Sequence, residues 1–455
     1  MQSPESEDSE VLDRKLIDQV VEAARAGDSG RVAELLEPLH PADIADLIEQ
    51  LDEDERAALI AAWGREIDGD VLSELDEAIR EPLIEVLPPE VLAEAVRELD
   101  SDDVVDLVED LEDEAKSKLL ESLEEADRVE VESSLSYPEY SAGRLMQREL
   151  VALPEDWSVG QAIDWLRSQD DLPDQFYHII LVDEQHHPTG YVALGRLLAS
   201  RRDTPLKSLC EDSFRTIGVL DKESDVAYLF NHYHLISAPV VDEDGRLVGV
   251  ITIDDAMAVL DEENEEDLLR LAGVSDEASL SDSVTETAKG RAVWLLVNLV
   301  TAIVASLVID LFSDAIDRLV ALAVLMPIVA SMGGNAGTQT MTVAVRALAT
   351  RELTAKNAMR VAWREIKVGA INGMGFGVLM AVVAGLWFGV PMLPLVIAAA
   401  MFLTLVAAAL GGILVPLVLD RLRIDPALAS GPFVTTVTDV VGFFAFLGLA
   451  SWVLL

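Results

Sequence analysis

The stretch ASGPFVTTVTDVVGFFAFLGLASWVLL, residues 429–455, decides how the rest of this chain is interpreted. It is long and apolar enough to cross a bilayer as a helix, and Asp439 is its only charged residue. At about 1.5 Å of rise per residue, Asp439 lies near the middle of a hydrocarbon core ~30 Å thick. A carboxylate at that depth is costly and normally marks a path for ions or protons. The sequence therefore predicts a membrane protein with such a path.

Four further apolar stretches precede this one, so we expect a membrane domain of five helices. Lys and Arg are concentrated in the segments on one side of these spans, as the positive-inside rule requires. The bias predicts a multi-pass protein of the cell (inner or plasma) membrane with its N-terminal domains in the cytosol and its C-terminus outside. The predicted spans are 291–312, 319–342, 367–390, 394–419 and 429–455.

The second and fifth spans each contain a polar run, Gly333-Gly-Asn-Ala-Gly-Thr-Gln-Thr340 and Pro432-Phe-Val-Thr-Thr-Val-Thr-Asp439. Such residues are tolerated in a membrane where helices pack closely or where they line a wet cavity. A packing seam with hydrogen bonds between helices is one interpretation, and a pore wall is the other. The candidate pore-lining residues are Gly334, Asn335, Gly337, Thr338, Gln339, Gly431, Pro432 and Thr436.

The residue types near Asp439 favour a hard cation. The membrane part contains no Cys and no His, which disfavours zinc and softer metals. Thr435 is four residues before Asp439 and therefore shares its helix face. One carboxylate beside hydroxyl and carbonyl oxygens suits Mg²⁺, which keeps several of its waters when bound. Two alternatives stay open: a structural ion pair with a basic neighbour, and a proton-coupled role.

Charge divides the chain into two unlike parts. Residues 289–455 contain 8 acidic and 11 basic residues, whereas the whole chain contains 82 and 33, so residues 1–288 carry a formal charge of −52. This acidity fits either a surface adapted to a salt-rich cytosol or a device that collects multivalent cations. It disfavours a nucleic-acid partner, and no protein partner is evident. The first residues lack the apolar core of a secretory signal.

Two internal repeats organise the acidic part. Residues 181–196 align without gaps on residues 240–255, and each copy reads as strand, turn and strand between helical runs. This tandem α/β module resembles a pair of CBS domains. Upstream, residues 39–56 match residues 87–104 with helical spacing of apolar residues, which predicts a small superhelical stack.

Acidic clusters occur in both regions, around residues 102–110 and 261–267. Like charges at helical spacing repel one another, and a bound divalent ion would reverse that effect. A solvated helix face is the alternative in so acidic a chain. No nucleophile–base constellation, phosphate loop or structural zinc spacing is present in the sequence, so we expect no enzyme.

The order of these parts resembles the MgtE family of magnesium channels. The motifs that carry the resemblance are Tyr137-Pro-Glu-Tyr-Ser-Ala-Gly-Arg-Leu-Met146, Gly333-Gly-Asn-Ala-Gly-Thr-Gln-Thr340, Arg346-Ala-Leu-Ala-Thr-Arg351, Asp425-Pro-Ala-Leu428 and Thr436-Val-Thr-Asp-Val-Val-Gly442.

The resemblance implies a homodimer in a lipid bilayer with a pore along its two-fold axis. Asp439 matches the pore carboxylate of the family, and backbone near Thr435 would contact the water shell of Mg²⁺. Gly431 stands where the family often has Asn. Cytosolic Mg²⁺ would close the pore by bridging Asp102 and Asp106 of the helical domain and, at the CBS end, Asp255, Glu263, Glu266 and Asp267. Thr252 and Asp255 match positions that hold an adenine nucleotide such as ATP in some CBS domains.

We thus expect a multidomain protein with an all-α superhelical cytosolic domain, an α/β tandem CBS pair and an α-helical five-span transmembrane domain. The predicted domains are an acidic tail (1–29), a helical-repeat domain (30–138), CBS domains (139–203 and 204–268), a connecting plug helix (269–290) and the membrane domain (291–455). The predicted function is a Mg²⁺ channel or transporter that admits Mg²⁺ to the cytosol and is closed by cytosolic Mg²⁺. The alternatives are an ion-coupled exporter of divalent cations and a membrane-anchored nucleotide sensor that does not transport.

Overall fold

The computed structural model describes residues 12–109, 111, 113–123, 125–169, 172–173, 175–211, 214–275 and 284–454. The chain forms two compact units, of which the second begins at Glu263. Each unit has its own hydrophobic cores. The mostly helical first unit with a tandem α/β module, and the second unit with five long apolar helices, confirm the predicted fold class.

Short helices build the first part of unit 1, and carboxylates cap several of them. The Asp52 carboxylate accepts a hydrogen bond from the backbone N–H of Glu55 at 2.8 Å, and Asp68 accepts one from Val71 at 3.0 Å. An acidic N-cap satisfies a free backbone donor and suits the positive end of the helix dipole. The helices are α1 Arg14–Ala26, α2 Ser29–Leu36, α3 Pro41–Glu49, α4 Glu53–Trp63, α5 Gly69–Ser73, α6 Glu77–Val86, α7 Pro89–Glu98, α8 Ser101–Glu109, α9 Asp113–Ser122, α10 Glu125–Leu135 and α11 Ala142–Leu145.

Helix α1 lies within residues 1–29, the stretch expected to be an acidic tail. Val20 is fully buried and Val21 nearly so, in the same core as Leu47 and Leu107 of later helices. The apolar face of α1 therefore belongs to the helical stack, and the stack begins before residue 30. Residues 1–11 of the expected tail lie outside the described residues.

The second part of unit 1 contains two three-stranded sheets that repeat one another. In each sheet the first pair is parallel and the second antiparallel, with a register shift at Leu181/Val182 in one and Val240/Val241 in the other. The strands are β1 Ala152–Pro154, β2 His178–Val182, β3 Pro188–Ala193, β4 Ile217–Gly218, β5 Ser237–Val241 and β6 Leu247–Thr252. The helices are α12 Val159–Leu166, α13 Leu194–Ala199, a 3₁₀ turn Leu206–Leu209, α14 Glu223–Tyr233 and α15 Ile253–Ala272.

The two copies also meet at equivalent positions. His178 Nδ1 lies 2.7 Å from Ser237 Oγ, and these residues are 59 apart, which is the offset of the repeat. This contact marks the local two-fold relation between the copies, as expected for a CBS pair.

Unit 2 contains the five predicted membrane spans. The candidate spans among its described residues are Thr287–Asp310, Ala321–Ala349, Ala358–Phe388, Leu393–Arg421 and Gly431–Leu454. The helices that carry them are α16 Val284–Asp310, α18 Ala321–Ala349, α19 Ala358–Phe388, α20 Leu393–Arg421 and α21 Pro426–Leu454, with a short α17 Ser313–Arg318. Helices α18 and α19 run seven and nine residues beyond the predicted spans into basic flanks, because hydropathy marks the apolar core of a helix and not its polar ends.

The predicted plug helix, 269–290, falls partly outside the described residues. Helix α15 ends at Ala272 and α16 begins at Val284, and residues 276–283 between them are not described.

Glycines set the spacing of α19 and α20. A Cβ on Gly369 would lie 2.7 Å from the Leu405 carbonyl oxygen, and one on Gly377 would lie 2.8 Å from that of Ala398. Gly373, between them, faces the Cα of Phe402 equally closely. Any side chain at these three positions would force the helices apart, so the small residues permit close backbone packing.

Candidate cation sites

Asp439 lies in the middle third of α21, as the sequence predicts. Its side chain is half-buried in the single chain, and it forms no ion pair or side-chain hydrogen bond with another described residue. The neighbouring Thr438 is fully buried against α18, where a Cβ on Gly337 would lie 3.1 Å from the Thr438 methyl group. Close packing on one side therefore fixes the helix while Asp439 remains without a countercharge.

The threonines near Asp439 bond to their own helix. The hydroxyl of Thr435 donates to the Gly431 carbonyl at 3.0 Å, and that of Thr436 donates to the Pro432 carbonyl at 2.6 Å. Thr438 donates to the Thr435 carbonyl at 2.9 Å, an oxygen that also stands in the helical position to accept the backbone N–H of Asp439. Thr435 is exposed one turn before Asp439, so its hydroxyl oxygen and the carboxylate can face the same ion.

Gly431 and Pro432 lie in the second turn of α21. Pro432 supplies no N–H, so the carbonyl four residues earlier loses its helical donor. A Cβ on Gly431 would lie 4.0 Å from the carbonyl oxygen of Leu271, at the end of α15. The end of α15 thus packs beside the first turns of α21 within unit 2.

The polar run of α18 divides between several faces. Gly337 packs against Val434 of α21, where its Cβ would lie 2.8 Å from a Val434 methyl group. Asn335 and Thr338 are exposed, and Gly334 has open space where a Cβ would point. Gln339 instead lines a groove beside α19 and α20. The structure therefore places the predicted pore-lining residues on more than one side of α18.

A group of charged residues joins the end of α15 to the start of α21. The Arg270 guanidinium lies 2.9 Å from Glu266 and 3.1 Å from Asp425, and its side chain is one-fifth exposed. The second oxygen of Asp425 accepts the backbone N–H of Ala427 at 2.7 Å and so caps α21. Sequence reasoning chose Glu266 but missed both Arg270 and Asp425, although Asp425 belongs to a quoted motif.

The carboxylates beside this ion pair repel one another. Burial, followed by the charges of Glu266 and Asp267, raises the pKa of Glu263 above its ordinary value. Burial, followed by the charge of Asp425, likewise raises the pKa of Asp267. Arg270 opposes both shifts but does not cancel them. A divalent cation here would relieve a repulsion that one guanidinium leaves in place.

A second acidic group lies within unit 1, between α8 and the start of α15. Asp102 is buried, and burial together with the Asp255 charge raises its pKa well above the ordinary value. Burial and Asp255 raise the pKa of Asp103 to about 7. Burial raises the pKa of Asp255 to about 6, against hydrogen bonds from Thr252. The sequence placed Asp103 in the acidic cluster of α8 but gave no reason to choose it as a ligand, because only the packed structure reveals which faces of α8 turn toward Asp255.

Asp106 and Asp255 also have structural partners. The Asp106 carboxylate lies 2.6 Å from the buried guanidinium of Arg80, which ties α8 to α6. Asp255 accepts the Thr252 hydroxyl at 2.7 Å and the Thr252 backbone N–H at 3.3 Å, as in a helix capping box. The predicted nucleotide residues, Thr252 and Asp255, are therefore bonded to each other. Among the described residues, no group of three or more His, Cys, Asp or Glu side chains is arranged as a preformed metal site.

Comparison with known families agrees with this organisation. Residues 326–449 match the MgtE family of divalent cation transporters, residues 39–140 match the MgtE intracellular N domain, and residues 210–262 match the CBS domain. The CBS match covers the second copy of the repeat, which carries the fuller signature in the sequence.

Curated relatives carry the MgtE name. The magnesium transporter MgtE of Bacillus subtilis is 30% identical over 70% of this chain and 71% of its own, and that of Thermus thermophilus is 33% identical over 71% and 72%. Among solved structures, the cytosolic domain of the Mg²⁺ channel MgtE in complex with ATP is 31% identical, with a TM-score of 0.49 over 53% of this chain and 99% of that one. The soluble part of a magnesium transporter is 25% identical, with a TM-score of 0.48 over 55% and 98%. From the similarity to the curated relatives, which spans more than two thirds of each protein, this chain belongs to the MgtE family of magnesium transporters.

Proposed function

We propose that this protein is a homodimeric Mg²⁺ channel that admits Mg²⁺ to the cytosol through a pore lined by α21. The observation that carries the proposal is the unpaired carboxylate of Asp439 at mid-membrane depth. A hydrated Mg²⁺ held by two such carboxylates, one from each copy, would keep its waters, which matches the coordination that Mg²⁺ favours. The family membership given above supplies the identity of the ion.

The exposure of polar groups in the single chain supports a second copy. Asn335, Thr338 and Thr435 are all exposed at membrane depth, and Asp439 is only half-buried. Facing hydrocarbon, these groups would leave polar atoms and a charge unsatisfied at considerable cost. A second copy that covers them around a water-filled path removes that cost. We place the N-terminal unit in the cytosol and the C-terminus outside because of the basic loops.

The two acidic groups support closure of the channel by cytosolic Mg²⁺. Without the ion, burial and the repulsion of neighbouring carboxylates, which together raise the pKa of Asp103 and of Asp267, favour a looser arrangement around each group. With the ion, the neutralised carboxylates favour the compact arrangement, so the closed state gains population by differential binding. The ion pair of Arg270 with Asp425 would then transmit the position of α15 to the start of the pore helix.

Flux measurements test the proposal. The full chain in liposomes should carry Mg²⁺ down its electrochemical gradient, and Asp439→Asn, which keeps the shape and removes the charge, should reduce the flux at least ~100-fold. The control is Asp314→Asn, an acidic residue in α17 outside the spans, which should leave the flux unchanged. Normal flux in the Asp439 variant would refute the pore, and flux that requires a proton or Na⁺ gradient would favour a coupled exporter instead.

A nucleotide at the CBS pair is a further prediction. ATP would have to displace or share the bond between Thr252 and Asp255, which already caps α15. Calorimetric titration of the protein with ATP, compared with the Thr252→Val variant, tests it. Binding that the variant weakens supports a ribose or phosphate contact at Thr252. If the unaltered protein gives no heat of binding, Thr252 and Asp255 only cap α15, and the prediction of a bound nucleotide is wrong.

A further inference from the structure

A groove with both polar and apolar lining residues lies between α18 and α19, on the surface of α20. Helices α18 and α19 both pack on α20 but hardly touch each other, and the space between them has a volume of about 270 Å³. Gly369, Leu405 and Ala409 form its floor. Its polar residues come from two helices and are Gln339, Thr340, Arg364, Glu365 and Asn372.

Glu365 is the unexplained residue of this groove. It lies two residues before the predicted apolar span 367–390, in the basic flank of α19 near the membrane surface. Its side chain is nevertheless only 15% exposed. An ionised carboxylate shielded to this extent requires a compensating charge.

Arg364 does not provide that charge well. Its Nε is 3.9 Å from the Glu365 carboxylate, and its side chain is 79% exposed. Adjacent residues on a helix point about 100° apart, so neighbours in sequence do not face each other. Arg364 also lines the groove, but its long side chain is largely exposed and can extend toward the membrane surface, whereas the Glu365 side chain is largely shielded.

The other polar residues extend the groove toward the middle of the membrane. Asn372 is two turns beyond Glu365 on α19 and within one residue of the helix centre, and Gln339 and Thr340 face it from α18. These side chains supply amide and hydroxyl oxygens, which with one carboxylate form the donor set of a hard cation. Six water molecules occupy about 180 Å³ of liquid, so a fully hydrated divalent ion fits the volume.

We propose that the groove lined by Glu365, Gln339 and Asn372 is a second binding site for a hydrated divalent cation, separate from the pore carboxylate of Asp439. Glu365 supplies the charge, and the amide oxygens accept hydrogen bonds from the waters of the ion. The proposal concerns binding and does not depend on whether α21 conducts. It gives Gln339, expected to line the pore, a role on another face of α18.

Paramagnetic broadening of a nitroxide by Mn²⁺ tests the site in the full chain reconstituted in bilayers. In a Cys210→Ala background, the label is attached at Val343→Cys, since Val343 lines the groove and is 63% exposed. A label at Val324→Cys, 19 residues and about 28 Å away on the same helix, is the control. Mn²⁺ should broaden the first spectrum with a saturable midpoint, and excess Mg²⁺ should reverse the effect.

Three variants decide the outcome. Glu365→Gln should raise the midpoint Mn²⁺ concentration at least ~tenfold, Glu365→Asp should restore most of the affinity, and Asp439→Asn should leave the midpoint unchanged. Broadening that does not saturate, or that Glu365→Gln leaves intact in a monodisperse protein, would overturn the site. Loss of broadening in Asp439→Asn would also overturn it, because the ion would then belong to the pore. The flux assay on Asp439→Asn judges the channel proposal separately.

Discussion

Neutralising Asp103 should stabilise the first unit, and the size of the effect follows from its surroundings. Asp103 is largely buried beside Asp255, with Asp100, Asp106 and Asp70 adding negative charge, and its pKa is raised to about 7 from an ordinary 3.8. At 1.36 kcal/mol for each tenfold change in proton affinity, ionising this carboxylate costs up to about 4 kcal/mol in the folded state. Relaxation of the site lowers this figure, so we expect ~2–4 kcal/mol for Asp103→Asn at pH 8.

The pH dependence gives the sign of the effect. Between pH ~4 and ~7 the folded unit keeps a proton on Asp103 that the unfolded chain has lost, so the free energy of unfolding falls as pH rises through this window. Below pH ~4 the group is protonated in both states and contributes nothing. The Asn variant should therefore match the unaltered protein at pH 4 and exceed it increasingly up to pH 8.

Urea unfolding of a fragment comprising residues 12–262, followed by circular dichroism without divalent ions, measures this difference. Asp244→Asn, at an exposed turn of the second CBS copy, is the matched control and should show no such change with pH. Mg²⁺ should then stabilise the unaltered fragment more than the Asp103 variant, by about 2.7 kcal/mol at a hundredfold excess over its dissociation constant if the variant does not bind. Equal stability of the two proteins at pH 8 would refute the reasoning.

Three further predictions concern packing in the membrane unit and inhibition by internal Mg²⁺. Gly337→Ala should destabilise the detergent-solubilised protein by ~1–3 kcal/mol, because its Cβ would lie 2.8 Å from a Val434 methyl group. Gly375→Ala, with open space at that position, should leave the thermal unfolding midpoint unchanged, and equal midpoints for the two variants would contradict the packing of Gly337. Asp425→Asn keeps an acceptor for the Ala427 N–H but loses the charge that binds Arg270. The internal Mg²⁺ concentration that halves the flux should therefore rise ~5–30-fold. An unaltered inhibition curve would show that this ion pair takes no part in gating. Lowering the internal pH from 8 to 6 should also weaken inhibition, because protons compete with Mg²⁺ for Asp103, and inhibition that is insensitive to pH would exclude that carboxylate from the sensor.

The sequence predicted well those features that depend on residues close together in the chain. The five spans follow from runs of apolar residues, and the tandem α/β module follows from two copies that share their turn residues. The structure extends the resemblance of the copies to details that no pattern of hydrophobicity carries, such as the equivalent register shifts and the contact of His178 with Ser237. Element ends were less well predicted, since a helix continues into polar flanks for as long as its backbone hydrogen bonds are favourable.

The candidate sites were predicted less completely, because a site is made by neighbours that are distant in sequence. Asp102 and Asp103 are adjacent residues of the same type, which the sequence does not distinguish. Only the packing of α8 shows that burial and the charge of Asp255 raise the pKa of both. Arg270 and Asp425 are 155 residues apart and form one ion pair. Gln339 belongs to a polar run that looked like one surface, yet its side chain lines a groove beside α19. Which face of a membrane helix meets water depends on its partners, and periodicity alone does not identify them.

The glycine contacts between α19 and α20 have a mechanical consequence. Three successive turns with backbone against backbone leave no side chains whose rotamers could absorb a sliding movement, so these two helices should travel as one rigid lever. Any rearrangement that widens a passage through the spans must then hinge along the boundaries of this lever, where α18 and α21 meet it. Crosslinking α19 to α20 should consequently be harmless to transport, whereas a tether from the lever to α21 should arrest it.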